Sequence, residues 1–366
     1  MRRNHGATRR VTRAAGLAAL ALGFTALPAL AQTCTTQAKM SPEVRTGLSD
    51  AALSVAQAVK ANDAAKVQAA TVAEYAAGTA FAPTAFLVQA TAGKLVGDSL
   101  RVSQIYELDA QGRKVGDSSE ADFSCLLTGT ASETDVGIAG LPPGMYGFAM
   151  VEATGDRPWL LSFLMRQDGG AWKMAGFYPR ARTAAGHDGL WYWTTASDDA
   201  KAKQLWLAWL LYGEADQLLR PANFVTSTNL DRLRSEQRSA VPPELGDGIS
   251  AQTPLVVKAS DGTDYSFTSI GAEGSEDGKE LDLMLHLRAV DPNAAGGDPN
   301  GVKAGDANGA KAVDLNAAKA RNRAAAKALL DAHKELRKGF DRVLVFTESE
   351  GQAPLVTDET MGEIPL

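Results

Sequence analysis

The sequence predicts an α+β fold in which helices, an antiparallel sheet, a helical hairpin and a small second α+β domain follow one another. Two patterns support this class. Residues 41–74 are rich in alanine and place their apolar residues at helical spacing. Residues 99–178 instead contain short aromatic and aliphatic runs that Gly, Pro and Asp turns separate. Helices and strands that occupy different parts of a chain are typical of α+β proteins.

The first 31 residues have the three parts of an export signal peptide. Five arginines and no acidic residue accompany an apolar stretch at residues 14–27, and the small-residue sequence Ala29-Leu30-Ala31 follows. The apolar stretch is shorter than the roughly 20 residues that cross a bilayer. We therefore expect cleavage after Ala31, a periplasmic or secreted mature protein, and no membrane span after cleavage.

The charge balance argues against a nucleic-acid partner. The chain has 37 basic and 43 acidic residues, and loss of the signal peptide removes five arginines, which takes the formal net charge from −6 to −11. Nucleic-acid binding depends on a basic surface that neutralises phosphates. A chain this acidic is therefore not expected to bind nucleic acid.

Both cysteines of the chain, Cys34 and Cys125, remain after cleavage. An even number of cysteines in an oxidising compartment favours a disulfide. Such a bridge would attach the new N-terminus to the first domain. The alternative is a buried Cys125 beside a free Cys34 in a loose N-terminal segment.

The first predicted domain, residues 32–182, begins with helices and continues with strands. Ser41 before a proline is typical of a helix start, and Asn62 and Asp63 predict a break before a second helix. A third helix is predicted at residues 84–93. The predicted strands are residues 99–108, 123–128, 145–152, 159–166 and 172–178.

The last two of these strands predict a tight hairpin, because Gln167-Asp168-Gly169-Gly170 joins them. The first of the two, residues 159–166, is apolar on both faces. Each apolar face of a sheet needs a cover. We therefore expect helices on one face, and on the other face either a concave pocket or the neighbouring domain.

The closing hairpin carries the sequence Gly-Ala-Trp-Lys-Met-Ala-Gly-Phe at residues 170–177, after the helices and strands that begin at residue 41. In this motif and this order of elements, residues 41–182 resemble the nuclear-transport-factor-2-like cone fold. Relatives with that fold include isomerases, dehydratases, binding modules and dimerisation domains. The resemblance therefore implies a fold and a pocket but selects no function.

The resemblance also implies that Tyr106, Asp122, Tyr146 and Tyr178 converge on the pocket. Enzymes of the family place an acid–base pair there, because proton abstraction needs a positioned base and a polarising donor. Asp122 with Tyr106 would form that pair, although the predicted strands that carry these residues contain no histidine. The alternative is a structural role for Asp122 at the start of a strand.

Residues 183–245 predict a helical hairpin followed by a connector. The pattern of small and large residues resembles a tetratricopeptide hairpin. Only one such unit is visible, and stable arrays need about three, so the hairpin is expected to pack on its neighbours. The residues that carry the pattern are Ala196, Ala208, Ala215, Tyr192 and Tyr212.

Residues 246–348 predict a second small α+β domain. Within it, residues 291–312 are rich in Gly, Asn, Asp and Ala and predict a flexible insertion. Residues 349–366 predict a loose polar tail. The predicted strands are residues 254–259, 265–270, 281–287 and 343–347, and the predicted helix is residues 315–337.

The histidines of the mature chain give no sign of a metal site. His187, His286 and His333 lie in three different segments. A zinc site needs clustered His or Cys ligands. We therefore expect neither a metal nor a cofactor.

All six tryptophans lie between residues 159 and 209. Large aromatic side chains mostly pack in cores. The alternative is an exposed groove that holds a peptide or a glycan, because aromatic faces supply binding area at a low entropic cost. The candidate groove residues are Trp191, Trp193, Trp206 and Trp209.

The leading functional hypothesis is an exported, non-enzymatic binding or assembly protein with a protein or peptide partner in the cell envelope. The hairpin and the lack of a catalytic motif favour it. One alternative is an enzyme or small-ligand carrier that uses the pocket of the cone-fold domain. Another is a structural homodimer, since sheets of this fold often pair through their open faces.

Overall fold

The computed structural model describes residues 32–95, 97, 99–126, 132–288, 315–348 and 355–365. The predicted signal peptide at residues 1–31 and the predicted insertion at residues 291–312 lie outside the described residues. The described part of the chain has helices and mainly antiparallel sheets, with one parallel strand pair in the C-terminal sheet, which confirms the α+β class.

The predicted helix boundaries follow from capping side chains. Ser41 accepts a hydrogen bond from the Val44 N–H at the start of the first helix, and Asp63 accepts one from the Lys66 N–H at the start of the second. None of the described helices is long and apolar enough to cross a membrane. The helices are α1 (Pro42–Lys60), α2 (Ala64–Ala69), α3 (Ala73–Ala76), α4 (Ala82–Ala92), α5 (Gly189–Lys201), α6 (Leu205–Leu219), α7 (Thr228–Ser239), α8 (Leu315–Ala332) and α9 (Leu336–Gly339).

The strands form two five-stranded sheets, a three-stranded sheet and a short two-stranded ladder within the described residues. They are β1 (Thr33–Thr36), β2 (Ser99–Asp109), β3 (Glu120–Leu126), β4 (Glu133–Ala139), β5 (Met145–Thr154), β6 (Trp159–Asp168), β7 (Ala171–Ala181), β8 (Thr183–Ala184), β9 (His187–Asp188), β10 (Val225–Ser227), β11 (Leu255–Lys258), β12 (Asp264–Gly274), β13 (Leu281–Arg288), β14 (Arg342–Glu348) and β15 (Leu355–Thr360).

The first five-stranded sheet is antiparallel with the order β1-β2-β5-β6-β7. Its closing hairpin is the one that the sequence predicts. Gly169 and Gly170 connect β6 to β7 with φ angles of 59° and 84°. A two-residue turn of this kind needs positive φ at both positions, and glycine adopts it without steric strain.

Helix α1 covers one face of this sheet and contacts β2, β5 and β7. Gly147 on β5 permits the close approach, since a Cβ there would lie 2.6 Å from Leu48 Cδ2. Leu48, Leu161 and Phe163 are fully buried in this layer. Each such side chain contributes roughly 1.5–3 kcal/mol through burial.

A three-stranded sheet with the order β10-β4-β3 covers the other face. Neither expectation for this face is met as stated: it is covered rather than open, and β3 and β4 of the cover belong to the first predicted domain, with only β10 coming from the connector. The predicted strand at residues 123–128 corresponds to β3 but belongs to this separate sheet. Strand β4 was missed because its sequence, Glu-Thr-Asp-Val-Gly-Ile-Ala, has few of the apolar residues that identify a strand.

The predicted disulfide is present and joins the two sheets of the first domain. Cys34 lies on β1, Cys125 lies on β3, and their Cα atoms are 5.2 Å apart. Cys125 is fully buried. The bridge therefore holds the covering sheet against the edge of the larger one and fixes the N-terminal segment, which forms strand β1.

The helical hairpin and the C-terminal sheet share one hydrophobic core. Helices α5 and α6 form the predicted hairpin, and Ala196, Ala208 and Ala215 are fully buried within it. The second five-stranded sheet has the order β11-β12-β13-β14-β15, and its leucines at 283 and 285 belong to the same core. The two segments that the sequence analysis separated at residue 245 therefore pack together.

The prediction of a loose tail is wrong for the described residues 355–365. Strand β15 pairs with β14 in antiparallel register, and the side chain of Ile364 is 2% exposed. The polar composition of the segment hides this role, because an edge strand needs only alternate residues to face the core.

Removal of the disulfide is expected to destabilise the protein without abolishing the fold. For the variant Cys34→Ser/Cys125→Ser, we expect the free energy of unfolding to fall by about 2–5 kcal/mol, since the bridge closes a long loop in the unfolded chain. Urea denaturation followed by tryptophan fluorescence measures this change. Wild-type protein with its disulfide reduced should unfold at the same midpoint as the variant. An oxidised wild type with that midpoint would contradict the prediction.

Candidate ligand-binding cleft

A cleft of about 390 Å³ lies where three parts of the chain meet. One wall is the end of β7, the second is the last turns of α6, and the third is the C-terminal sheet. The cleft is therefore built from segments that are far apart in the sequence. The side chains on which its chemistry depends are Trp159, Glu214, Gln217, Glu273, Asp282 and Met284.

Helix α6 presents one face to the cleft. Glu214, Gln217 and Leu218 line the cleft and are spaced three and four residues apart, which places them on the same side of the helix. Gln217 Nε2 donates a hydrogen bond of 3.1 Å to the Ala272 carbonyl oxygen of β12. This contact fixes the helix against the sheet beside the cleft.

The C-terminal sheet presents the opposite wall. Glu273 and Asp282 are directly opposite each other in the β12–β13 register, and Met284 lies two residues further along on the same face. Gly274 lets β12 pass close to β8, because a Cβ there would lie 2.7 Å from Ala184 Cβ. The two carboxyl groups and the methionine therefore face one space.

At the rim of the cleft, Lys94 and Arg157 of the first domain contact Glu276, which lies between β12 and β13. Arg157 Nη1 donates to the Glu276 carbonyl oxygen at 2.8 Å, and Lys94 Nζ lies 3.8 Å from the Glu276 carboxylate. Lys94 also lies 5.7 Å from the centroid of the Trp159 ring. These basic side chains are therefore engaged at the rim.

Two carboxyl groups in the cleft are almost completely buried. Glu214 is 2% exposed and Asp282 is 7% exposed. Glu214 Oε2, Asp282 Oδ1 and Trp159 Nε1 make no hydrogen bond to any described residue. A buried polar group without a partner costs about 1–3 kcal/mol, so three such atoms around one cavity indicate a site that favours a polar ligand.

Burial changes the acidity of both carboxyl groups. It raises the pKa of Glu214 to about 8, and the negative charge of Glu273 adds to the effect. Burial also raises the pKa of Asp282 to about 6, against the attraction of Arg342. Near pH 7 Glu214 is therefore mainly protonated and Asp282 is mainly ionised.

The tyrosines assigned to a cone-fold pocket lie in a packed layer instead. Tyr106 and Tyr146 are 3% and 1% exposed between the two sheets of the first domain. The Tyr178 ring meets the Phe224 ring edge-on at 4.8 Å between centroids. Asp122 is exposed on the outer face of β3. The structure therefore does not bring Asp122 and Tyr106 together as an acid–base pair.

The four candidate tryptophans do not form a common groove. Trp206 is 3% exposed and its ring lies 4.3 Å from the His333 ring, inside the shared core. Trp209 meets Trp206 edge-on at 6.4 Å and also packs against this core. Trp191 is 43% exposed and stacks on the His187 ring. Core packing, the first of the two expectations, therefore accounts for Trp206 and Trp209.

Trp193 lines a second, more open groove of about 340 Å³ between α5 and α7. The polar groups of this groove already have partners. Trp193 Nε1 donates to Glu236 at 2.7 Å, Arg232 pairs with the same carboxylate at 2.9 Å, and Lys201 pairs with Asp198. Because these groups are satisfied, this groove is a weaker candidate than the cleft.

The sequence analysis missed Glu214 and Asp282, although a signal was present. Glu214 follows the run Leu-Trp-Leu-Ala-Trp-Leu-Leu-Tyr-Gly in a helix that is otherwise apolar on its buried face. Asp282 interrupts the apolar strand Leu-Asp-Leu-Met-Leu. An acidic residue inside an apolar element is unusual, because burial of a charge is costly.

No group of three or more metal-ligating side chains occurs among the residues that the structure describes.

The buried Glu214 is expected to make stability depend on pH. In the unfolded chain its pKa returns to the usual 4.5, so between about pH 4.5 and pH 8 the folded state holds a proton that the unfolded state loses. The free energy of unfolding should therefore fall as the pH rises through this window. Glu214→Gln removes this contribution. The free energy of unfolding of the variant, relative to that of the wild type, should therefore rise by a few kcal/mol between about pH 5 and pH 8.5.

Urea denaturation at the two pH values measures this difference. Asp264→Asn is the matched control, since Asp264 is an exposed carboxylate on β12 that lies 3.7 Å from Lys258. Its stability should follow the wild type at both pH values. Parallel pH dependence for the wild type and Glu214→Gln would contradict the assignment.

The chain matches no family model, and comparisons with curated proteins and with solved structures find no match. The resemblances to the cone fold and to the tetratricopeptide hairpin therefore stay predictions from the sequence.

Proposed function

We propose that the protein is an exported binding protein that holds a small polar ligand in the cleft between α6 and the C-terminal sheet. The observation that carries this proposal is the pair of buried carboxyl groups, Glu214 and Asp282, each with an oxygen that lacks a hydrogen-bond partner in the described chain. A ligand with hydrogen-bond donors would satisfy both oxygens. Its binding would offset the cost of burying them.

The dimensions of the cleft support a small molecule. Ligand pockets in proteins typically enclose about 300–1,000 Å³ and combine apolar walls with a few polar groups. The cleft has about 390 Å³, with Leu218, Met284 and Leu344 among its apolar side chains. Its place between packed units of the chain is also typical of binding sites.

Export is the second part of the proposal. The Cys34–Cys125 disulfide is compatible with an extracellular location, since such bridges persist in oxidising compartments. The arginine-rich start and the Ala29-Leu30-Ala31 sequence support a signal peptide that is cleaved after Ala31. The ligand would then be taken from the periplasm or from the surroundings of the cell.

A second candidate is acid–base catalysis in the same cleft. The specific observation in its favour is that the pKa of Glu214 is about 8 and that of Asp282 about 6, so one carboxyl is protonated where the other is ionised. Pairs of titratable groups with separated pKa values are typical of enzymes that donate and accept protons. Under the binding proposal the ligand is recovered unchanged after incubation, which NMR spectroscopy of the mixture tests.

A screen of small molecules tests the binding proposal. Amines, sugars, amino acids and carboxylic acids would be added to the purified protein, and the melting temperature measured by thermal shift. We expect at least one class to raise the melting temperature by a few degrees, because a ligand at about 100 times its Kd stabilises by about 2.7 kcal/mol.

Two bulky variants locate the site. Met284→Trp places a large side chain in the cleft and should abolish the thermal shift. Thr194→Trp places the same side chain in the groove between α5 and α7 and should leave the shift unchanged. A shift that survives Met284→Trp, or a screen in which no class stabilises the protein, would count against the cleft as the binding site.

A further inference from the structure

The inner part of the cleft is acidic, whereas its basic side chains lie at the rim or have other partners. The inner carboxyl groups are the two buried ones, Glu214 and Asp282, and Glu273 also lines the cleft but is exposed. Arg157 donates to the Glu276 carbonyl oxygen, and the Arg180 guanidinium donates to Asn223 Oδ1. The inner carboxyl groups are therefore not paired with these cations.

Apolar side chains adjoin the inner carboxyl groups. Met284 is two residues from Asp282 on the same face of β13, and Leu344 is its partner in the β14 register. Leu218 follows Glu214 by one turn of α6 and completes the apolar wall. An apolar surface next to unsatisfied acceptors fits a ligand with one cationic end and one hydrocarbon end.

We propose that the cleft binds a small organic cation, whose ammonium group donates hydrogen bonds to Glu214 and Asp282 and whose hydrocarbon part packs on Met284 and Leu344. This inference rests on the proposed function and deepens it by naming the ligand class. An ammonium group carries three donors and no acceptor, which matches oxygens that lack donors. It also carries a positive charge, which complements the carboxylates of the cleft.

The other ligand classes fit the same residues less well. A neutral polyol would supply donors, but it would bring no positive charge to the buried Asp282 carboxylate or to the exposed Glu273 carboxylate opposite it. A carboxylate ligand would be repelled by both groups. The basic side chains that line the cleft have other partners: Lys94 and Arg157 contact Glu276, and Arg180 donates to Asn223.

Binding of a cation is expected to release protons. Glu214 attracts the ammonium charge as a carboxylate, so an organic cation favours loss of the proton that Glu214 holds below about pH 8. Its affinity should therefore rise with pH up to that value. The charged or titratable groups that act on the two carboxyls are Glu273 and Tyr192 for Glu214, and Arg342, Glu280, Asp358 and Asp341 for Asp282.

Three probes of matched length separate the ligand classes. Pentylamine is the cation, 1-pentanol the neutral compound and pentanoate the anion, and each is titrated into the purified protein at constant ionic strength by isothermal calorimetry. Pentylamine stays protonated over the range used, as a lysine side chain does. We expect it to bind about tenfold or more tightly than either of the other two.

The pH series and the choice of buffer test the contact with Glu214. Pentylamine should bind about tenfold more tightly near pH 8 than near pH 6. The measured heat should differ between phosphate and Tris buffers, because the buffer takes up the released proton. If the affinity is the same at both pH values and the heats in the two buffers are equal, the ammonium group does not contact Glu214. That result would overturn the inference.

Variants assign the effect to the two carboxyl groups. Glu214→Gln and Asp282→Asn should each weaken pentylamine binding about tenfold or more, and Glu214→Gln should also remove most of the pH dependence. Asp264→Asn, outside the cleft, should bind as the wild type does. Circular dichroism and the melting temperature establish that each variant is folded, and wild-type affinity in a folded Glu214→Gln variant would overturn the inference.

The failure of this inference differs from the failure of the proposed function. If 1-pentanol or pentanoate binds at least as tightly as pentylamine, and Met284→Trp abolishes that binding, the cleft is a binding site and the cationic class is wrong. If none of the three probes binds, the cationic class is also wrong. The proposed function then depends on the separate thermal-shift screen.

Discussion

Strand β6 is apolar on both of its faces, and this constraint organises the first half of the molecule. Residues 160–165 are all buried, which means that the central sheet cannot have a solvent-exposed side. One side is closed by α1, through the contact of Leu48 with Gly147. The other is closed by the smaller sheet, in which β3 and β4 lie between β2 and β5 in the chain and only β10 comes from a later segment. The Cys34–Cys125 bridge then connects the small sheet to the edge strand β1.

The same covering places the cleft at the end of the sheet rather than within it. The space between the two sheets of the first domain is occupied by tyrosine and phenylalanine side chains, with Phe148 and Tyr178 both against Phe224. The space that remains lies beyond the end of β7, where α6 and the C-terminal sheet meet it. Two acidic side chains face this space with unsatisfied oxygens. Burial of such oxygens is costly, and proteins keep this kind of cost mainly at sites that bind a ligand or catalyse a reaction.

Local patterns in the sequence predicted most of the elements. Ser41 and Asp63 cap helices through their own side chains, and Gly169 with Gly170 determines the β6–β7 turn, so these features depend on a few neighbouring residues. The layer to which an element belongs was harder to predict. Strands β4 and β15 are short or polar, and each is stabilised by its partner strand rather than by its own apolar residues.

The sequence by itself determined the α+β class and predicted the helical hairpin and the pairing of the two cysteines, because periodicity, turn residues and cysteine number are local or countable properties. Only the tertiary structure decided the site. Glu214 on α6 and Asp282 on β13 line the same cleft with the end of β7, although these three elements are far apart in the chain. The pKa of a carboxyl group depends on its solvation and on the charges around it, and distant segments supply both.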